Sequence, residues 1–156
     1  AIANYIKKHY NLLIGERTAE ELKILIGSAY PMDEELEAVI KGRDLIAGLP
    51  KEMVINSVEV RKAMLKSIRL IVSAIKNTIE ETPPELISDL MGRSINIAGG
   101  GSLLRNIDKL ISLETKLPVK IVDDPMTAVV RGCGVILEDV SKLKDVLVSV
   151  RKEGYI

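Results

Sequence analysis

The chain has 156 residues, 47% of them hydrophobic, with 22 basic and 22 acidic side chains. That length suits one domain, or two small subdomains sharing a backbone crossing, and the even charge leaves no electrostatic footprint for nucleic acid. A single cysteine, Cys133, excludes an internal disulfide and agrees with a reducing cytosol, and a single histidine, His9, excludes a His-based metal cluster.

No apolar run approaches the roughly 20 residues of a membrane span, and no signal peptide is visible. There is no Trp and no Phe, so the core must be built from Ile, Leu, Val, Met and Ala. The chain starts "AIANYIKKHY", without Met and already in helical pattern, and is expected to be a piece of a longer protein. Ile2, Tyr5, Ile6 and Tyr10 near helical spacing predict a helix over residues 1–11. In "IGERTAEELKILIG", Thr18 and Glu21 match a capping box. Leu22, Leu25 and Ile26 give that helix its buried face, and Gly27 ends it.

After "SAYP" the period changes. "LEAVIKGRDLI" and "KEMVINS", joined through "AGLP", predict two strands of a hairpin in a small β-rich part. Asn56 or Ser57 then caps a long helix. Val60, Met64, Ile68, Ile71, Ile75 and Ile79, supported by Leu65 and Val72, mark its apolar stripe. Thr82-Pro83-Pro84 stops it, and "PELISDL" begins a short helix on one of the prolines. "SINIA" reads as a strand, and Leu103, Leu104, Ile107, Leu110 and Ile111 mark the helix after it. "PVKIV" is the next strand, and Asp124 as N-cap with Pro125 at the first position opens another helix. Strand, helix and strand of this length imply a right-handed parallel crossover. The tail, residues 141–156, reads as a fraying helix.

Three segments are candidates for chemistry. In "INIAGGGSLLRNID" the run Gly99, Gly100, Gly101, Ser102 has two readings. Backbone without Cβ approaches a ligand closely. A helix N-terminus behind it offers unpaired N–H groups and partial positive charge, which together make a phosphate site. The alternative is a tight strand-to-helix turn that needs only one or two glycines. The run is neither a Walker A loop, since no Lys-Ser/Thr follows, nor G-x-G-x-x-G, since Leu104 stands at the third glycine position. In "GERTAEELK", a carboxylate could accept both hydroxyls of a ribose and the Lys23 stem could lie along a purine. The simpler reading is a solvated ion pair between Glu20 and Lys23. In "DDPMTAVVRGCG", Gly132 and Gly134 suggest close packing on a neighbour, with Cys133 a small inert hydrophobe between them. His9 reads as a surface helix residue, and Tyr30 marks the exit into the β-rich part. No nucleophile–base pair and no metal-spaced carboxylate cluster can be argued, so no catalytic or metal residue is assigned.

"GERTAEELKILIGSAYP", "INIAGGGSLLRNID" and "VDDPMTAVVRGCG", with the long helix ending in "TPPELISDL", occur in an order and separation that resemble the MreB/Mbl family of bacterial actin homologues. The resemblance runs from residue 1 to about residue 140. It implies an α/β fold, the second lobe of an actin-like ATPase: a partial ribonuclease-H-like core with a small β-rich inserted subdomain. Residues 1–27 and 57–156 would form a nucleotide-facing subdomain (IIA-like), and residues 28–56 a smaller one (IIB-like) that contacts the next subunit of a protofilament. The first lobe, with its phosphate loop, Mg²⁺ carboxylate, water-positioning acid and membrane-binding elements, is expected upstream.

The resemblance further implies ATP, with Mg²⁺ in the intact protein, as cofactor. Gly99, Gly100, Gly101 and Ser102 would approach the nucleotide, and the helix carrying Glu16, Arg17, Thr18, Glu20 and Lys23 would flank ribose and adenine. Self-association into filaments, cell-shape and wall-synthesis partners, and a cytoplasmic location at the inner face of the membrane follow from the same resemblance. ATPase activity is expected of the intact protein and not of this chain alone. A sugar or acetate kinase, a chaperone-type ATPase and a non-enzymatic interaction module are the rival functions on the same fold.

Overall fold

A computed structural model describes residues 1–138. The helix expected over residues 141–156 lies outside the described residues. Three helices pack on one face of a small antiparallel sheet, and a strand–helix–strand unit adjoins them.

Helix α1 (Ile2–Tyr10) buries Ile2 and Ile6 and ends at Asn11, which takes the left-handed conformation. The chain then enters strand β1 (Leu12–Leu13), which the sequence did not announce. Leu12 is fully buried, and β1 pairs antiparallel with strand β2 (Glu37–Asp44) in the register Leu12 to Asp44. Strand β3 (Pro50–Asn56) pairs on the other side of β2, from Glu37 opposite Asn56 to Arg43 opposite Pro50. The hairpin is therefore as expected, and β1 makes the sheet three-stranded. Alternation works as a half-buried sheet requires. Ala38, Ile40 and Ile55 face the core, whereas Val39 and Val54, directly opposite each other, face outward. At the hairpin end, Asp44 Oδ1 accepts the Ile46 and Ala47 N–H groups at 2.7 and 3.1 Å, and Gly48 supplies the positive φ of 73° that closes the loop.

Helix α2 (Glu16–Ile26) departs from its expected start. Gly15 occupies the N-cap position and Thr18 lies inside the first turn, so the Thr18–Glu21 capping box does not form. Glu21 instead pairs with Arg17 at 2.9 Å. The tertiary reason is that Leu12 and Ile14 are both buried, so the chain is free to turn into a helix as soon as it leaves the sheet. Leu22 and Ile26 are buried as expected, but Leu25 is exposed.

Helix α3 (Ser57–Glu80) is held at its start by a true capping box. The Asn56 side chain accepts the Glu59 N–H at 3.0 Å, and Glu59 Oε2 accepts the Asn56 N–H at 3.1 Å. Such a cap stabilises by about 1 kcal/mol. The buried stripe is Val60, Met64, Ile68 and Val72, narrower than expected, because Leu65 and Ile71 are exposed. Each fully buried aliphatic of this kind contributes about 1.5–3 kcal/mol. Helix α4 (Pro84–Met91) follows with Pro83 at the cap and Pro84 in the first turn.

Strand β4 (Ile95–Ile97) and strand β5 (Val119–Ile121) are parallel, with Ile95 opposite Val119 and Ile97 opposite Ile121. Between them, a 3-10 helix (Gly100–Leu103) precedes helix α5 (Ile107–Thr115), whose Ile107 and Ile111 join the core. Thus Leu103 and Leu104 do not lie in the helix they were expected to mark. Asn106, at φ 59°, breaks the path and starts α5 afresh. Helix α6 (Ala128–Glu138) also begins late. Asp124 has φ 44° and opens a turn in which its carbonyl accepts the Thr127 N–H at 3.2 Å. It is therefore not the N-cap, and Pro125 is not at the first helical position. None of the α6 residues is buried. A Cβ at Gly132 or Gly134 would meet nothing within 4 Å, and Cys133 is exposed, so the expected close packing is not made among the described residues.

Candidate functional site

The glycine run sits where β4 ends. Its three glycines do different things. Gly99 has φ 84° and ψ 170°, a region essentially reserved for glycine, and its N–H donates to the Pro125 carbonyl at 2.7 Å. Gly100 faces Met126, whose Sδ would lie 3.1 Å from an added Cβ. Gly101 faces open space, with nothing within 4 Å of a Cβ placed there. Ser102 is buried, and its hydroxyl donates to the Gly99 carbonyl at 2.7 Å, bracing the loop from within.

The first N–H groups of any helix lack an intrahelical partner. Here those of Gly100 and Gly101 find no other acceptor among the described residues. Two adjacent donors, an open surface and no Cβ are what a phosphate or other anion needs. The four-residue 3-10 helix behind them supplies far less dipole than the α-helix that was expected there.

The loop is supported on two sides. Below it lies the turn at residues 123–127. The Arg131 guanidinium donates to the Asp123 carbonyl, and the Thr127 hydroxyl bonds the Asp124 carboxylate. Beside it lies the C-terminal end of α2. Arg105 Nη1 donates to the Ile24 carbonyl at 2.9 Å and to the Gly27 carbonyl at 3.3 Å. The Arg105 carbonyl accepts the Ala29 N–H at 2.7 Å, and Asn106 Nδ2 donates to the Pro31 carbonyl at 3.0 Å. Arg105, Asn106 and Met126 had no sequence signal of their own. Their roles depend on which segments the fold brings alongside the loop.

The α2 candidates divide. Lys23 is in the last turn, beside Ile24, and its ammonium pairs with Glu20 at 2.6 Å. This is the ion pair of the simpler reading, with Glu20 exposed and Lys23 half-buried. Glu16, Arg17 and Thr18 lie at the opposite end of α2, with Glu16 about 12 Å along the axis from the Arg105 anchor. Arg17 is 92% exposed and engaged with Glu21.

A second charged cluster lies at the base of the hairpin. Arg61 Nη1 donates to the buried Ser28 hydroxyl at 2.6 Å, and its Nη2 meets Glu35 Oε1 at 2.5 Å. The Ser57 hydroxyl also donates to Glu35, and these bonds hold the Glu35 carboxyl below its ordinary value, Arg61 contributing most. Among the described residues no group of three or more His, Cys, Asp or Glu converges to hold a metal ion. Nor is any described helix long and apolar enough to cross a membrane.

Comparisons with known proteins agree with this architecture. The family model described as MreB/Mbl protein matches residues 1–145. Cell shape-determining protein Mbl of Bacillus subtilis is 46% identical over 142 residues, which are 91% of this chain and 43% of that protein. Cell shape-determining protein MreB of Escherichia coli is 47% identical over 138 residues, 88% of this chain and 40% of that protein. Among solved structures, MreB5 of Spiroplasma citri bound to ADP superposes with a TM-score of 0.87 at 39% identity, covering 92% of this chain and 44% of that one. The same protein bound to AMPPNP gives 0.85 at 39% identity, covering 94% of this chain and 44% of that one. The chain spans less than half the length of the curated relatives it matches. With its actin-like α/β fold, the chain belongs to the MreB/Mbl protein family.

Proposed function

We propose that this chain supplies one side of an ATP cleft in a filament-forming, actin-like cytoskeletal protein that organises cell-wall synthesis and rod shape. The observation that carries the nucleotide half is the pair of unpartnered N–H groups at Gly100 and Gly101, with open space on the Cβ side of Gly101. They would donate to phosphate oxygens. Glu20 would accept the ribose hydroxyls, with the Lys23 stem against the purine, their mutual ion pair giving way. Glu16, Arg17 and Thr18 would flank the nucleoside less directly, from the far end of α2. The similar MreB5 bound to ADP and to AMPPNP supports nucleotide as the ligand class. Mg²⁺, bound with the nucleotide in the intact protein, would neutralise phosphate charge; no residue of this chain is assigned to hold it.

Self-association rests on the hairpin. Residues 28–56 would act as a IIB-like subdomain on a IIA-like body made of residues 1–27 and 57–156. Val39 and Val54 are more than half exposed on its outer face, and Ile46 and Leu49 stand exposed at its end. An apolar surface of this kind suits contact with a second copy. The assembled protein would lie in the cytoplasm at the inner face of the membrane, with membrane contact made by the other lobe and with cell-shape and wall-synthesis proteins as partners.

ATP-dependent pelleting of the whole protein, with electron microscopy of the pellet, tests this reading. Nucleotide-sensitive filaments are expected. A monomer that binds ATP without assembling would move the function to a kinase or chaperone-type ATPase, and a protein that binds no nucleotide would leave an interaction module.

A further inference from the structure

We propose that the groove between α3 and α5 is a docking site for an acidic, amphipathic helix of a partner protein. The groove has a volume of about 640 Å³. One wall is α3 from Val58 to Lys76, about 27 Å of helix. The other is formed by Tyr30 and Pro31 and by Leu110 and Glu114 of α5. It shares no lining residue with the glycine loop or with α2.

The sequence of α3 gives this surface one sign of charge. From Val60 to Ile79 it carries five basic side chains and no acidic one. Two of the five are paired, Arg61 with Glu35 and Lys76 with Glu114. Lys62, Lys66 and Arg69 are exposed and enter no ion pair among the described residues. They stand at i, i+4 and i+7, so Lys66 and Arg69 follow Lys62 at about 6 and about 10.5 Å along the axis. Lys62 and Arg69 border the groove itself. Its floor is apolar: Ile68 and Val72 close it from below, and Leu65 stands 40% exposed between the two cations.

An apolar floor suits an apolar stripe, and a cationic row suits carboxylates beside that stripe. A helix meets both demands, because its anchors repeat at i, i+3, i+4 and i+7, the period of the wall it would lie on. A small free anion fits less well, since the cations are strung along the axis and do not converge. A bilayer also fits less well, since the apolar side chains line a concavity rather than a projecting face.

The test is fluorescence anisotropy of a labelled helical peptide of roughly 18 residues, the length of the α3 wall, titrated with the whole protein. The peptide carries leucines at i, i+3, i+4 and i+7 with glutamates on both flanks; its counterpart carries lysines instead of the glutamates. The glutamate peptide is expected to bind at least about tenfold more tightly than the lysine peptide, and to weaken severalfold between about 0.05 and about 0.3 M salt. Lys62→Glu combined with Arg69→Glu should weaken it about tenfold and Leu65→Ser about fivefold, whereas Lys7→Glu combined with Lys8→Glu on α1 should change it by less than about twofold. Thermal midpoints are recorded alongside. If the Lys62, Arg69 reversal does not fold, Lys62→Gln with Arg69→Gln decides, with a loss of about threefold expected.

Equal losses from the α3 and α1 reversals, or binding indifferent to Leu65→Ser, would show adhesion by charge alone and overturn the proposal. No binding of the glutamate peptide up to about 0.5 mM would overturn it as well, the result expected if the rest of the protein covers the groove. With the peptide unbound, impaired pelleting of the Lys62, Arg69 variant would give the face to a second copy. Loss of its binding to phosphatidylglycerol vesicles would give the face to a membrane. Either result overturns the proposal.

Discussion

Replacing Arg61 with Met should destabilise the protein by about 3 kcal/mol at neutral pH, more than a typical surface change. The Arg61 side chain is 13% exposed and that of Glu35 32%. Methionine keeps most of the stem and removes the donors. The Ser28 hydroxyl, fully buried, loses its 2.6 Å partner. A hydrogen bond to a charged group is worth about 1.5–3 kcal/mol. The ion pair with Glu35 adds less, about 0–1 kcal/mol, because water reaches one side of it. Urea unfolding at pH 7 should show a lower midpoint at unchanged slope.

The pH dependence follows from Glu35. Its folded pKa lies below the ordinary 4.5, so its stabilising contribution is present above 4.5 and is lost as pH falls below that value. The gap between Arg61→Met and the unsubstituted protein should therefore narrow as pH is lowered. A loss under 1 kcal/mol, or a gap that widens in acid, would refute the claim that Arg61 latches the hairpin base onto α3.

Three other outcomes are expected. Gly99→Ala should cost about 1–3 kcal/mol in urea unfolding, because alanine is strained at φ 84° and ψ 170°. Asn56→Ala removes the side-chain half of the α3 capping box and should lower stability by about 1 kcal/mol by the same assay. The Asp44 carboxyl is lowered from 3.8 to about 2 by Lys51 first and then by the Ala47 and Ile46 N–H groups. A carbon-detected NMR titration should show it ionised until about pH 2, with order at the hairpin end complete above 3.8 and lost as pH falls toward 2.

The sequence is most legible where period and chemistry act locally. The β2–β3 hairpin, the α3 stripe with its Asn56 cap, and the parallel β4–β5 pair can all be read from spacing. The losses have one cause, tertiary override of local signals. Thr18 and Glu21 carry the right capping spacing, but burial of Leu12 and Ile14 starts the helix earlier. Strand β1 is too short to show a period and exists through its pairing with β2. Leu103 and Leu104 look helical beside Ile107, yet Asn106 takes φ 59° while its side chain reaches the Pro31 carbonyl. Asp124-Pro125 has the composition of a helix start, but its turn is shaped around the glycine loop, with the Pro125 carbonyl accepting the Gly99 N–H.

The candidate site was legible to a similar degree. The glycine run and Lys23 are marked by residue type. Arg105, whose side chain reaches the Ile24 and Gly27 carbonyls, is marked by nothing along the chain, because an arginine after an apolar pair is ordinary until the fold sets α2 beside it. The division of labour within the run is likewise a three-dimensional fact: Gly99 answers to backbone geometry, Gly100 to Met126, and Gly101 to open space.

Gly101 therefore offers the most direct test of the central claim, that this loop faces a nucleotide. The measurement is the dissociation constant for ATP of the whole protein carrying Gly101→Val, taken with its thermal midpoint. A Cβ added there meets nothing within 4 Å, so stability should move by no more than about 0.5 kcal/mol. ATP should bind at least about tenfold more weakly, because the side chain occupies the approach to the Gly100 and Gly101 N–H groups. Native ATP affinity in a folded Gly101→Val protein would contradict the account and return the glycine run to a tight turn.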